Sequence, residues 1–339
     1  MKRKAIFKSP LSLGLLASVP GAKTPVDAIL WHAKMLFIES GMTKPPFSPA
    51  LYAPLRRVKE IILKNIEVEG RLLPCFDGFI IELRKDRSHE RKNFTCAHEL
   101  GHTFFYESVP TIKYRANSTS QLHRDEEEER LCNIAAAELL MPSSEFSKIV
   151  KDYVASPKSL QDISNLFEVS LVATVVNLLK HKLWNATFIL WKQNNNKLEA
   201  EWIAQPNCNL VYSPAFEIVN FEKSSIYKAF QTDELIKNQE TLKSRNGTLS
   251  DIFQSMKLNN RRVLSCIKHN STGKSLLNVQ TKIVKPTLPI EYECKCNGRR
   301  YIIVEQNGKT SAIKCLATEH KIAILPNQYS LPFMAKDSE

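Results

Sequence analysis

Apolar positions follow two rhythms along this chain, and the change falls after Trp184. Before it, spacings of three and four predominate. Leu160, Ile163 and Phe167 share one side of a predicted helix, Val169-Ser170 makes a turn, and Ala173, Val176 and Leu179 continue along a second helix. Upstream, Arg130 to Met141 is rich in strong helix formers and stops at Pro142, whose ring disfavours helical geometry at the residue before it. The short run Gly78-Phe79-Ile80-Ile81 predicts a strand just ahead of the charged stretch Arg84 to Arg91. After Trp184 the pattern becomes alternating or β-rich at Thr187–Trp191, Leu198–Ile203, Arg262–Lys268, Leu277–Val284, Tyr292–Cys296, Tyr301–Glu305 and Ser311–Leu316. Asn194-Asn195-Asn196, Asn297-Gly298 and Asn307-Gly308 are turn signals between these segments. Helices are expected near Ser224–Gln231 and Asp233–Glu240, so the chain reads as α+β.

Chemistry concentrates in the helical half. His98-Glu99-Leu100-Gly101-His102 places two imidazoles four residues apart, on one face of a helix, where both can reach one Zn²⁺. Glu99 points sideways into whatever cleft opens there, as the helix of a zinc peptidase requires. Catalytic zinc takes three protein ligands and keeps a position for water, so a third ligand must lie elsewhere. The acidic run Asp125 to Glu129 leads into a helix on which Glu129 shares a face with Cys132, Asn133 and Ala136. Their small side chains would let two helices approach closely. Glu126, one turn before Glu129, competes for the role, and spacing leaves the choice open.

The two segments together resemble the ImmA/IrrE family of metallopeptidases. The family's R-x-x-F-T-x-A-H-E-L-G-H is matched from Arg91 to His102, and its E-x-x-A-N-x-F-A-x-x-L-L-M-P by Glu129, Asn133, Ala136 and Leu139 to Pro142. The resemblance, over roughly residues 25 to 180, implies a zincin-like fold with His98, His102 and Glu129 as zinc ligands and Glu99 as catalytic base. It favours Glu129 over Glu126. Departures are Cys132 for the usual alanine, Ala135 for the usual aromatic, and Tyr106 where many members carry histidine. The chemistry expected is peptide hydrolysis without a covalent intermediate, with Glu99 taking a proton from a zinc-activated water and passing it to the leaving amine. Tyr106 and His123 are the candidate oxyanion donors, and Asn133 is expected to fix a ligand from behind. The resemblance further implies a protein substrate, often a helix-turn-helix transcriptional repressor, in stress response or mobile-element control. The alternative is a zinc-binding regulatory or scaffold protein without catalysis, which would have no need of Glu99.

Composition frames this site. The 339 residues are 43% hydrophobic and 24% charged, a globular balance large enough for two domains. No apolar run reaches the ~18 residues of a membrane span. Scattered cysteines suggest reduced thiols and a cytoplasmic location, and Cys294-x-Cys296 lacks the paired spacing of structural zinc. Residues 1–22 have a basic start and a modest apolar segment that faintly resembles a secretory signal, but Pro10 and Gly14 break it. The net charge of +12 invites a nucleic-acid reading, yet its basic clusters are scattered. The second helix of the 157–180 pair offers only Thr174 and Asn177 to a groove, so no specific nucleic acid is expected. The expected organisation is a flexible basic leader (1–24), a zinc peptidase domain (25–155), a helix-turn-helix-like packing segment (156–185) and an α+β C-terminal domain (186–339) for a signal or partner. Some family relatives carry a GAF-like sensory module in that last position.

Overall fold

Short polar side chains set the helix starts in the first half. Helix α1 (Pro10–Ala17) begins after Ser9, and α2 (Pro25–Ser40) after Thr24, whose hydroxyl accepts from Asp27 N–H at 3.1 Å. Such caps satisfy N–H groups that have no partner within the helix. Gly41, at φ 66°, ends α2 in the left-handed conformation that glycine adopts without penalty. A short helix α3 (Pro49–Tyr52) and a 3-10 turn (Pro54–Arg56) lead into the first sheet. The computed structural model describes residues 7–108, 126–194, 197–206, 210–212, 217–219, 221–244, 247–269, 301–306, 309–315 and 321–324.

The first sheet has the order β1 (Val58–Lys64), β3 (Gly78–Arg84), β2 (Gly70–Cys75), with β1 parallel and β2 antiparallel to β3. Alternation along β3 sends Ile81 and Leu83 into the main core and Glu82 to the other face, where it pairs with Lys64 and Arg71. Against this sheet lies α4 (His89–Ser108), and α5 (Glu126–Leu140) packs on α4. Arg56 holds α4 near its middle, donating to Thr103 Oγ1 at 2.9 Å and to the Thr103 carbonyl at 3.1 Å, with its guanidinium over Phe104. The Tyr52 hydroxyl donates to the Leu139 carbonyl at 3.0 Å, serving one of the acceptors left over at the end of α5. Helices α6 (Ser143–Val150), α7 (Pro157–Leu166) and α8 (Leu171–Lys180) follow, the last two as a bent pair. Glu168, in their turn, accepts at 2.7 Å from His89 at the start of α4.

Seven antiparallel strands form the second sheet, in the order β6 (Val211–Tyr212), β5 (Lys197–Ala204), β4 (Ala186–Asn194), β10 (Arg262–Lys268), β9 (Gly247–Asn259), β8 (Ile236–Ser244), β7 (Glu217–Ile218). Alternation again divides its residues. Phe188, Leu190, Trp202, Leu264 and Cys266 join the core of the first half, while Ile189, Trp191, Ile203, Val263 and Ile267 form a second core with α9 (Ser225–Gln231). The sheet is thus filled on both faces. Three further strands, β11 (Tyr301–Gln306), β12 (Lys309–Cys315) and β13 (Lys321–Ile324), pair antiparallel in a separate sheet. The chain is α+β.

Several expectations need correction. Residues 7–24, read as part of a flexible leader, hold α1 against the core: Leu15 is fully buried, and the Glu127 carboxylate accepts from the N–H groups of Lys8 and Ser9 at 2.8 Å each. The segment Asp233–Glu240, expected helical, instead gives way to β8, because pairing with β9 from Ile236 onward outweighs a local composition rich in Lys, Gln and Glu. On α8 the buried side is Thr174, Val175, Asn177 and Leu178, while Val176, expected inside, is 44% exposed. Packing against both α7 and β5 rotates the helix away from the face its apolar count suggests. The expected strands Leu277–Val284 and Tyr292–Cys296, with Cys294 and Cys296, lie outside the described residues. Among the described residues no single helix is long and apolar enough to cross a membrane; the α7–α8 pair meets the length and composition test only together, bent by 103°.

Candidate metal centre

Helix α4 carries His98 and His102 on the face that meets α5, with Glu99 turned toward Gly70 of β2, and the two helices touch at Gly101. A side chain there would bring its Cβ to 3.1 Å from Cys132 Cα and 3.4 Å from Ala135 Cβ. The glycine therefore sets the distance between α4 and α5, and it does so beside the histidines. Two of the three departures from the family pattern, Cys132 and Ala135, are the small residues facing it.

At this crossing His98 Nε2 and His102 Nε2 lie 3.2 Å apart. Glu129 reaches in from α5, with Oε2 3.2 Å from His98 Nε2 and Oε1 3.6 Å from His102 Nε2. Among the described residues these three form the one His/Cys/Asp/Glu group whose ligand atoms all lie within 4.8 Å of one another. Glu126, the competing candidate, is exposed and does not join them.

The other ring nitrogens are held from behind. His98 Nδ1 faces Asn133 Oδ1 at 3.0 Å, and His102 Nδ1 faces Glu128 Oε1 at 2.8 Å. Both partners are acceptors, so each Nδ1 carries its ring's proton and each Nε2 is left as a donor atom. Burial opposes a charge on His102, yet contact with Cys132, the hydrogen bond to Glu128 and the charge of Glu99 hold its pKa well above the ordinary imidazole value. The two Nε2 atoms and the Glu129 carboxylate thus converge on one position suited to a cation. Two neutral imidazoles and a carboxylate suit a divalent metal of zinc type. Glu99 is 2% exposed and backs onto Gly70 at the start of β2, where an added Cβ would come within 3.3 Å of its Oε1.

Asn133 thus lies where a ligand-fixing role requires. Tyr106 packs against Phe79 of β3 with the rings tilted by 59° and their centroids 4.9 Å apart, on the edge of the core. His123 lies outside the described residues. Reading the sequence missed Glu128 and Gly101. Successive residues of a helix turn by about 100°, so four glutamates in a row must face four directions, and only the register set by the ligand reveals which one lies behind His102. The signal for Gly101 was its presence inside a helix, where glycine is costly unless something approaches closely.

Residues 62–179 match the model of the IrrE N-terminal-like domain, a peptidase family, and the match supports a function of the metallopeptidase type. No curated protein has a matching sequence. A solved structure titled Mycobacterium tuberculosis transcriptional regulator aligns at 14% identity over 76% of this chain and 80% of its own, with a TM-score of 0.41, a likeness too distant to carry an argument.

Proposed function

We propose that this protein is a zinc-dependent endopeptidase of the cytoplasm that cleaves a regulatory protein, a helix-turn-helix repressor in stress response or mobile-element control. The observation that carries the reading is the convergence of His98, His102 and Glu129 with Glu99 beside them. His98, His102 and Glu129 would hold the zinc, and Glu128 and Asn133 would keep the rings aimed. The metal, when bound, supplies a Lewis acid and lowers the pKa of water at its open position. Glu99 accepts the proton from the attacking water and delivers it to the leaving amine, and its burial keeps bulk water from competing for that proton. A scaffold without catalysis would have no use for such a buried base.

The division into a peptidase domain at 25–155, a packing segment at 156–185 and a signal- or partner-binding domain at 186–339 belongs to the same proposal. Burial of Thr174 and Asn177, the two side chains of α8 suited to base edges, speaks against sequence-specific DNA reading by the helix pair. Cys75, Cys96, Cys132 and Cys266 are free thiols, as a reducing compartment would have them.

The test is Glu99→Gln, assayed against the repressor encoded beside this gene. The amide cannot take a proton, so cleavage should fall by about 10²–10⁴-fold while bound zinc is retained. Wild-type cleavage by the variant would exclude Glu99 as the base, and a wild type that cuts no repressor would favour the scaffold.

A further inference from the structure

We infer that Glu128 is a positioning residue of the metal centre: its buried carboxylate accepts the Nδ1 proton of His102 and so fixes Nε2 as the atom this histidine offers to the metal. The inference rests on the zinc reading above and goes beyond it by naming a residue that touches neither metal nor substrate. Glu128 Oε1 lies 2.8 Å from His102 Nδ1, and the two residues are 6% and 9% exposed. At that burial little water screens the pair, and a hydrogen bond to an ionised acceptor is stronger than one between neutral groups. It has two effects on the ring. It selects the tautomer and orientation that turn Nε2 toward Glu129 and His98, and it raises the basicity of Nε2 as a ligand.

The arrangement on α5 separates neighbouring glutamates by task. Glu127 caps α1 through the N–H groups of Lys8 and Ser9, Glu128 stands behind His102, and Glu129 faces the metal position. His98 receives the same orientation from Asn133, a neutral amide that aims the ring without adding charge. His102 is therefore the ligand whose strength depends on a carboxylate.

A purely structural alternative is that Glu128 only staples α4 to α5. The two roles differ in what they move. Zinc affinity is measured on the full-length protein by competition with a chromophoric chelator, alongside the melting temperature of the metal-free protein. Glu128→Gln keeps an acceptor of the same shape and removes the charge, so its zinc affinity should fall by about 10-fold, and that of Glu128→Ala by up to ~100-fold. Glu127→Gln, on the adjacent residue, should leave zinc affinity unchanged. With cobalt in place of zinc, the absorption bands of Glu128→Ala should shift as the ring loses its orientation. A staple alone would lower the metal-free melting temperature of the variants and leave the zinc affinity of Glu128→Gln at the wild-type value. That result overturns the inference even where Glu128→Ala fails to fold. A wild-type protein that binds no zinc would instead sink the reading on which the inference rests.

Discussion

His102 carries a proton in the metal-free protein under conditions where an ordinary histidine has lost it, because Cys132, Glu128 and Glu99 together outweigh the burial that opposes its charge. The folded-state pKa lies above the unfolded value, so this group's contribution to metal-free stability is complete below about pH 6.5 and is lost as pH rises through the raised pKa. Metal binding has the opposite sign, since the proton must leave before Nε2 can coordinate. The rise in melting temperature on adding zinc should therefore grow between about pH 6.5 and pH 8, the window just above the ordinary histidine value. Melting curves with and without zinc across that range would show it. A zinc-induced rise that is flat or shrinks with pH would mean that His102 is not protonated in the metal-free site, or is not a ligand.

At the scale of elements, the centre depends on how closely α5 approaches α4, and Gly101 governs that approach. Gly101→Ala would gain roughly 0.5–1 kcal/mol in helix propensity. It would lose about 1–3 kcal/mol to overpacking, since the atoms it meets include the Cys132 backbone, which cannot swing aside. The loss outweighs the gain by up to about 2.5 kcal/mol, so the metal-free variant should melt somewhat below wild type but still fold. Zinc affinity should also fall, because α5 carries Glu129 and would be pushed away from the histidines. Equal zinc affinity in a chelator competition would show that the crossing has slack.

The same elements show what could be read beforehand. The spacing of His98 and His102 is a local property of one helix, so it was visible from the chain alone. Glu129 became distinguishable from Glu126 only through the motif register, and Glu128 only through the three-dimensional crossing. Residues 236–240 depart from the expected helix because a polar strand takes its conformation from the neighbour it pairs with, here β9, and not from its own composition. The residues just before α1 look like a basic leader until the N–H groups of Lys8 and Ser9 meet Glu127, 118 or more residues away.

Over the whole molecule, one apolar core runs from α1 through the metal-site helices and the α7–α8 pair to one face of the seven-stranded sheet. Trp184, Phe188 and Trp202 are buried in that core with Phe146 and Phe167, so residues on both sides of position 185 share one interior. Alternation along β4 explains why the sheet could be read in outline: Phe188 and Leu190 turn one way, Ile189 and Trp191 the other, and both sets are buried. Which helices cover each face has no local signature, and that is the part the sequence does not disclose. The account as a whole stands on the metal centre, and its most direct test is the zinc content of the purified full-length protein. About one zinc per chain is expected, as in a site with three protein ligands. It should be lost in Glu129→Ala and kept in Glu126→Ala; zinc retained without Glu129, or lost without Glu126, would contradict the site described.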